Sequence, residues 1–141
     1  MAGGKPSADD QKEKELQKRL ATATCPVRGD KVKKEFQAAY KGAKLFFSSA
    51  EAKRDYESQP GRYYEKANLQ LLATKQAKQV ACPLTGRNLN PKATATIGGQ
   101  TVQFCCPNCA RMTGQATLSE QLKFVFGAKS FDRQFKIEPL P

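Results

Sequence analysis

Cys25-Pro26-Val27-Arg28-Gly29 and Cys82-Pro83-Leu84-Thr85-Gly86 are two copies of one turn, set 57 residues apart. The same displacement carries Gly42 onto Gly99 and Phe47 onto Phe104, and the register runs from residue 25 to residue 52 without insertion or deletion. Self-similarity at a fixed spacing marks a duplicated supersecondary unit. The displacement also sets Ser48 on Cys105 and Ala52 on Cys109, so copy one lacks two of the three aligned thiols. Thiol chemistry is therefore expected in copy two.

Outward from these turns, each copy reads in the same order. Proline fixes φ and glycine supplies a positive φ, which makes the opening a tight turn. Residues 32–40 and 44–47 read as strands joined at Lys41-Gly42, and residues 93–97 and 101–104 as strands joined at Gly98-Gly99. Ser48-Ser49-Ala50-Glu51 then matches a capping box with Ser48 as the cap, and Ala52 and Tyr56 share one helix face up to Pro60-Gly61. Residues 62–79 read as a connecting helix, with Tyr64, Ala67 and Leu71 at helical spacing. Thr117-Leu118-Ser119-Glu120 opens a further helix through Leu122, Val125 and Phe126 to Gly127. Beyond it Phe131, Arg133, Phe135 and Ile137 recur at period two, as in a strand or an extended tail.

The expected class is α+β: two small tandem repeats, each a cysteine turn, a β-hairpin and a helix, joined by a connecting helix. Residues 25–81 form the degenerate repeat with its linker, and residues 82–141 form the cysteine-bearing repeat with a C-terminal extension. Residues 1–24 read as a tail, polar and flexible through Asp10, with a short helix over 11–20 that sets Lys12, Leu16 and Leu20 on one face.

Composition sets limits on chemistry. The 141 residues carry a net charge of +11 and contain neither histidine nor tryptophan, which excludes imidazole catalysis and histidine ligation. No apolar run approaches the roughly 18–20 residues that span a bilayer. Five cysteines is an odd number, so complete intramolecular disulfide pairing is impossible. Units this small need a metal, a disulfide or a packed twin to supplement their cores.

Cys82, Cys105, Cys106 and Cys109 place one thiol on a turn and three where a strand runs into a helix. Cys105 and Cys109 are four apart and point to one side at a helix start, and the hairpin can bring Cys82 back to them. Helix N-terminal N–H groups favour thiolate, and soft sulfur ligands select zinc or copper(I). Position 85 is Thr, so the turn supplies a single thiol. A fourth ligand would be Cys106, a carboxylate, water or substrate, or a group from another molecule. Side-chain alternation sets Cys106 opposite its neighbour, so three thiolates with an exchangeable position is the preferred arrangement. A zinc staple, a disulfide or idle thiols are the competing readings.

Cys25-Pro26-Val27-x-Gly29, Tyr40-x-Gly42, Phe47 and Tyr56…Pro60-x-x-Tyr63 resemble the YHS domain. So do Cys82-Pro83-Leu84-x-Gly86, Gly99 and Phe104-Cys105-Cys106-x-x-Cys109. That family is similar to the TRASH-type, treble-clef-like zinc modules attached to heavy-metal-transporting ATPases and metal-responsive proteins. The resemblance covers residues 25–66 and 82–112 and implies Cys82, Cys105 and Cys109 as the characteristic thiols, with only Cys25 surviving in copy one. Ser48 and Ala52 then imply a folded, metal-free first copy in which Cys25 is a buried structural thiol. Arg111-Met112-Thr113-Gly114 departs from the aromatic, acidic helix usual at that point. The resemblance and the polar leader favour an exported, periplasmic bacterial protein over a cytoplasmic one.

Three function classes follow. The first is non-enzymatic binding of a thiophilic metal, in trafficking or sensing. The second is a basic nucleic-acid or protein interaction module in which zinc is purely structural. Its basic residues, however, are interspersed with Glu and Asp, and its aromatics occupy core-like strand positions. The third is an enzyme, disfavoured because Cys106-x-x-Cys109 stands outside any thioredoxin-like βαβ context; no catalytic residue is assigned.

Overall fold

The computed structural model describes residues 8–140, so most of the expected flexible stretch lies outside the described residues. The chain forms α1 (Ala8–Leu20), β1 (Lys33–Tyr40), β2 (Ala43–Phe47) and α2 (Ala50–Ser58). A 3-10 turn (Pro60–Tyr63) leads into α3 (Tyr64–Ala73) and β3 (Ala77–Gln79). The second half contributes β4 (Asn90–Ile97), β5 (Gln100–Phe104), α4 (Pro107–Gln115), α5 (Leu118–Phe126), α6 (Ala128–Gln134) and β6 (Phe135–Ile137). The fold is α+β, with three two-stranded antiparallel sheets among the described residues.

Duplication is visible element by element. Displacing β1, β2 and α2 by 57 residues reproduces the bounds of β4, β5 and α4 at both ends. The hairpin turns match in conformation too: Lys41 and Gly42 have φ of 52° and 81°, and Gly98 and Gly99 have 56° and 84°. Positive φ at both central residues gives the turn twist that suits a two-residue hairpin. Even the register breaks correspond, between Lys33 and Gln37 in one sheet and between Asn90 and Thr94 in the other.

The two halves share one core. Leu45, Phe47, Ala52 and Leu71 join Ile97, Val102, Phe104 and Val125 in a single buried cluster, all of them fully enclosed. Each large aliphatic or aromatic side chain so buried contributes about 1.5–3 kcal/mol. α3 packs on α5, and β3 pairs with β6, so corresponding segments meet across an approximate two-fold axis. Asn68 adds a polar tie, accepting from the Tyr40 hydroxyl at 2.7 Å and donating to the Phe126 carbonyl at 2.7 Å.

Glutamine side chains close the sheet edges. Gln70 accepts from the Phe46 N–H at 2.7 Å and donates to the Phe46 carbonyl at 2.8 Å. Gln76 pairs in the same way with Lys44, and Gln79 with Gln103 on β5. Each amide presents the donor and acceptor that a further strand would offer, so these edges do not recruit other chains.

Several expectations need correction. Ser49, not Ser48, caps α2, with its Oγ accepting from the Ala52 N–H at 3.1 Å. The connecting helix stops at Ala73, because Lys75 adopts φ 61° and turns residues 77–79 into strand. Residues 128–134 are helical, so only Phe135–Ile137 of the C-terminal alternation is strand. α1 begins at Ala8 rather than residue 11, and it is docked: Leu20 is buried, Arg19 donates to the Thr74 carbonyl, and Glu13 pairs with Lys34. No helix among the described residues is long and apolar enough to cross a membrane.

Candidate metal centre

The second cysteine turn is built around the Cys82 sulfur. The Cys82 N–H bonds to the Arg87 carbonyl at 2.9 Å and the Gly86 N–H to the Cys82 carbonyl at 2.8 Å, closing a tight loop. Gly86 takes φ 76°, a conformation that a side chain would strain. Closure turns the N–H groups of Leu84 and Thr85 toward the sulfur, and the Cys105 N–H joins them from the end of β5. Cys82 is fully buried, and burial pushes its thiol up. The Thr85 hydroxyl and the three N–H groups outweigh that effect and bring the thiol down to about 7. Those donors stabilise a thiolate before any cation arrives.

The other thiols come from the strand-to-helix junction. Cys105 follows β5 directly, and Cys109 lies in the first turn of α4, their sulfurs 3.8 Å apart. The sulfurs of Cys82, Cys105 and Cys109 all lie within 4.8 Å of one another. A tetrahedral ion with Zn–S bonds of about 2.3 Å needs sulfurs roughly 4 Å apart, so the spacing suits one metal. The Cys109 thiol is pushed up to about 12, first by burial and then by the neighbouring Cys106 and Cys105 sulfurs. Without a cation, the cluster thus favours one thiolate at Cys82 and a retained proton at Cys109.

Cys106 stands outside that close group. It is the N-cap of α4 at φ −155°, ψ 161°, almost the backbone conformation of Ser49 at the start of α2. The Cys109 N–H, foremost, and the Cys109 thiol hold the Cys106 thiol below its ordinary value. Its position is that of a partly exposed helix cap at the rim of the cluster.

Copy one shows the same joint without the thiols. Cys25 is buried in an equivalent turn, where its Sγ accepts from the Arg28 N–H at 3.5 Å. Ser48 and Ala52 occupy the positions of Cys105 and Cys109. Arg28, the counterpart of Thr85, instead reaches across to α2, 3.7 Å from Glu51 and 3.5 Å from Asp55.

Thr85 was read from the sequence only as a missing thiol. In the fold its hydroxyl donates to the Cys105 Sγ at 3.3 Å as well as bearing on Cys82. A hydroxyl three residues after a turn cysteine is the signal that could have identified it. No family model, no curated protein and no solved structure matches the chain.

Proposed function

We propose that the protein binds one thiophilic metal ion, zinc or copper(I), through Cys82, Cys105 and Cys109, and that this binding is its activity rather than support for catalysis. The carrying observation is the convergence of three sulfurs within 4.8 Å from two separate segments. A prearranged set of N–H and hydroxyl donors around Cys82 adds to it. Three protein ligands leave one coordination position for exchange, the arrangement that delivery or sensing requires and that a closed structural site lacks. The duplicated plan, with thiols kept in one copy only, fits a YHS-like pair in which copy one serves as scaffold.

Native mass spectrometry of protein purified without chelator tests this reading. The expected result is one metal per chain, lost in Cys82→Ser and Cys109→Ser and retained in Cys25→Ser. A chain that takes up no added zinc or copper(I) with its thiols reduced would overturn the proposal.

A further inference from the structure

One more soft donor lies on the helix that carries Cys109. α2 and α4 have matching bounds and nearly identical cap conformations, so position 112 on α4 corresponds to position 55 on α2. In copy one that position is met by an arm from the cysteine turn: the Arg28 guanidinium reaches to 3.5 Å from the Asp55 carboxylate. The partner of Arg28 in copy two is Thr85, whose hydroxyl touches the Cys105 sulfur. Position 112 therefore lies on the flank of its helix that a flexible side chain can bridge to the cysteine turn.

That residue is Met112, one of two methionines in the chain, the other being Met1. It lies three residues beyond Cys109, and helical side chains lean toward the N-terminus, so it leans toward that thiol. Its side chain is 61% exposed, more than Val80, Leu118 or Phe124, so core packing does not fix its rotamer. Three rotatable bonds and a polarizable sulfur make methionine an adaptable arm. A thioether is a soft, uncharged donor that suits copper(I).

We infer that Met112 is a swinging thioether ligand that completes a copper(I) site with Cys82, Cys105 and Cys109. The inference rests on the metal-binding reading above and specifies its cargo. The arm adds no charge, so it raises affinity for copper(I) over zinc while leaving the ion exchangeable.

The test is parallel titration of the reduced full chain, Met112→Leu and Cys82→Ser with copper(I) and with zinc, each against a chromophoric competitor. Met112→Leu is expected to weaken copper(I) binding by roughly ten- to a hundredfold, the scale on which a lost partner affects a metal site, and to leave zinc unchanged. Cys82→Ser is expected to lose both ions. In protein labelled at the methionine methyl groups, the Met112 resonance should move on adding copper(I) and not on adding zinc. Undiminished copper(I) affinity in Met112→Leu overturns the inference and leaves the three-cysteine site intact, as does equal weakening for both ions. Failure of the unmodified chain to bind either ion overturns both readings.

Discussion

Replacing Thr85 by valine keeps the β-branched shape of the side chain but removes one hydroxyl from an exposed position, together with the bond it accepts from the Arg87 N–H at 3.2 Å. That hydroxyl is the leading influence holding the Cys82 thiol down at about 7 against its burial. A hydrogen bond to a charged group is worth about 1.5–3 kcal/mol, and one pKa unit corresponds to about 1.4 kcal/mol. The variant thiol should therefore titrate about one to two units higher, with the backbone N–H groups still in place. At neutral pH the native thiol is half ionised, so proton competition should weaken apparent metal affinity in Thr85→Val by about five- to fiftyfold. Above pH ~10 both proteins hold Cys82 as thiolate, and their affinities should converge. Competition titrations at several pH values measure this directly. A deficit of equal size at every pH would mean that the hydroxyl shapes the site and does not tune its proton. No deficit at neutral pH would show that the N–H groups alone set the thiolate.

The same shifts fix how the metal-free protein responds to pH. A thiol lowered from 9.0 to about 7 stabilises the fold above its unfolded value, and that contribution is lost as pH falls through 7. The difference is about 2–3 kcal/mol at about 1.4 kcal/mol per unit. Cys109 acts oppositely: the unfolded chain ionises it near 9.0 while the fold retains its proton to about 12, so stability falls again across that interval. The thiols titrate as one coupled system, and apo stability should peak near pH ~9.

Further outcomes follow from other parts of the fold. Gln70→Ala strands the N–H and carbonyl of Phe46 and the carbonyl of Thr24, and denaturant unfolding should show a loss of about 3 kcal/mol. Thr113→Val replaces a buried hydroxyl that has no partner with a methyl group, and should raise stability by about 1 kcal/mol in the same assay. Arg28→Ala breaks only exposed ion pairs, so it should cost less than about 1 kcal/mol and become neutral at high salt. Treatment with a strong chelator should leave the far-ultraviolet circular dichroism nearly unchanged, because copy one and the shared core fold without metal; collapse of the signal would make the metal a staple.

The duplication was legible because it is written in residues with strong local meaning: a proline, glycines at positive φ, and cysteines. Those same residues located the thiol cluster. What escaped the sequence is non-local. β3 and β6 are three residues each and pair only with one another, so neither carries a periodic signal of its own. Phe131 and Phe135 fit period two as readily as a helical repeat of four, and their stacked rings, 4.8 Å apart, join the middle of α6 to β6. Gln70, Gln76 and Gln79 fall within the stretch that reads as a connecting helix, yet they satisfy strand edges that only tertiary packing brings to them. Lys75 ends α3 at positive φ without the glycine that would have marked it.

The two copies are, in effect, one joint solved in two ways. In copy one the cysteine turn is fastened to the helix start by Arg28 with Glu51 and Asp55, by the Ser49 cap, and by Tyr56 packed 5.3 Å from the Phe47 ring. Copy two has Thr85, Asn108 and Met112 where those ionic partners stood, and Thr113, with its unpartnered hydroxyl, where Tyr56 stood. Its joint is thus short of side-chain ties at the place where three sulfurs converge. A cation bound there would supply the missing tie, while the shared core through α3, α5 and the β3–β6 pair ties the two halves together. Binding then need not drive folding, and the ion can leave without unfolding the chain. On the metal-binding proposal, a scaffold role for copy one and an exchangeable metal in copy two would both follow from the same packing.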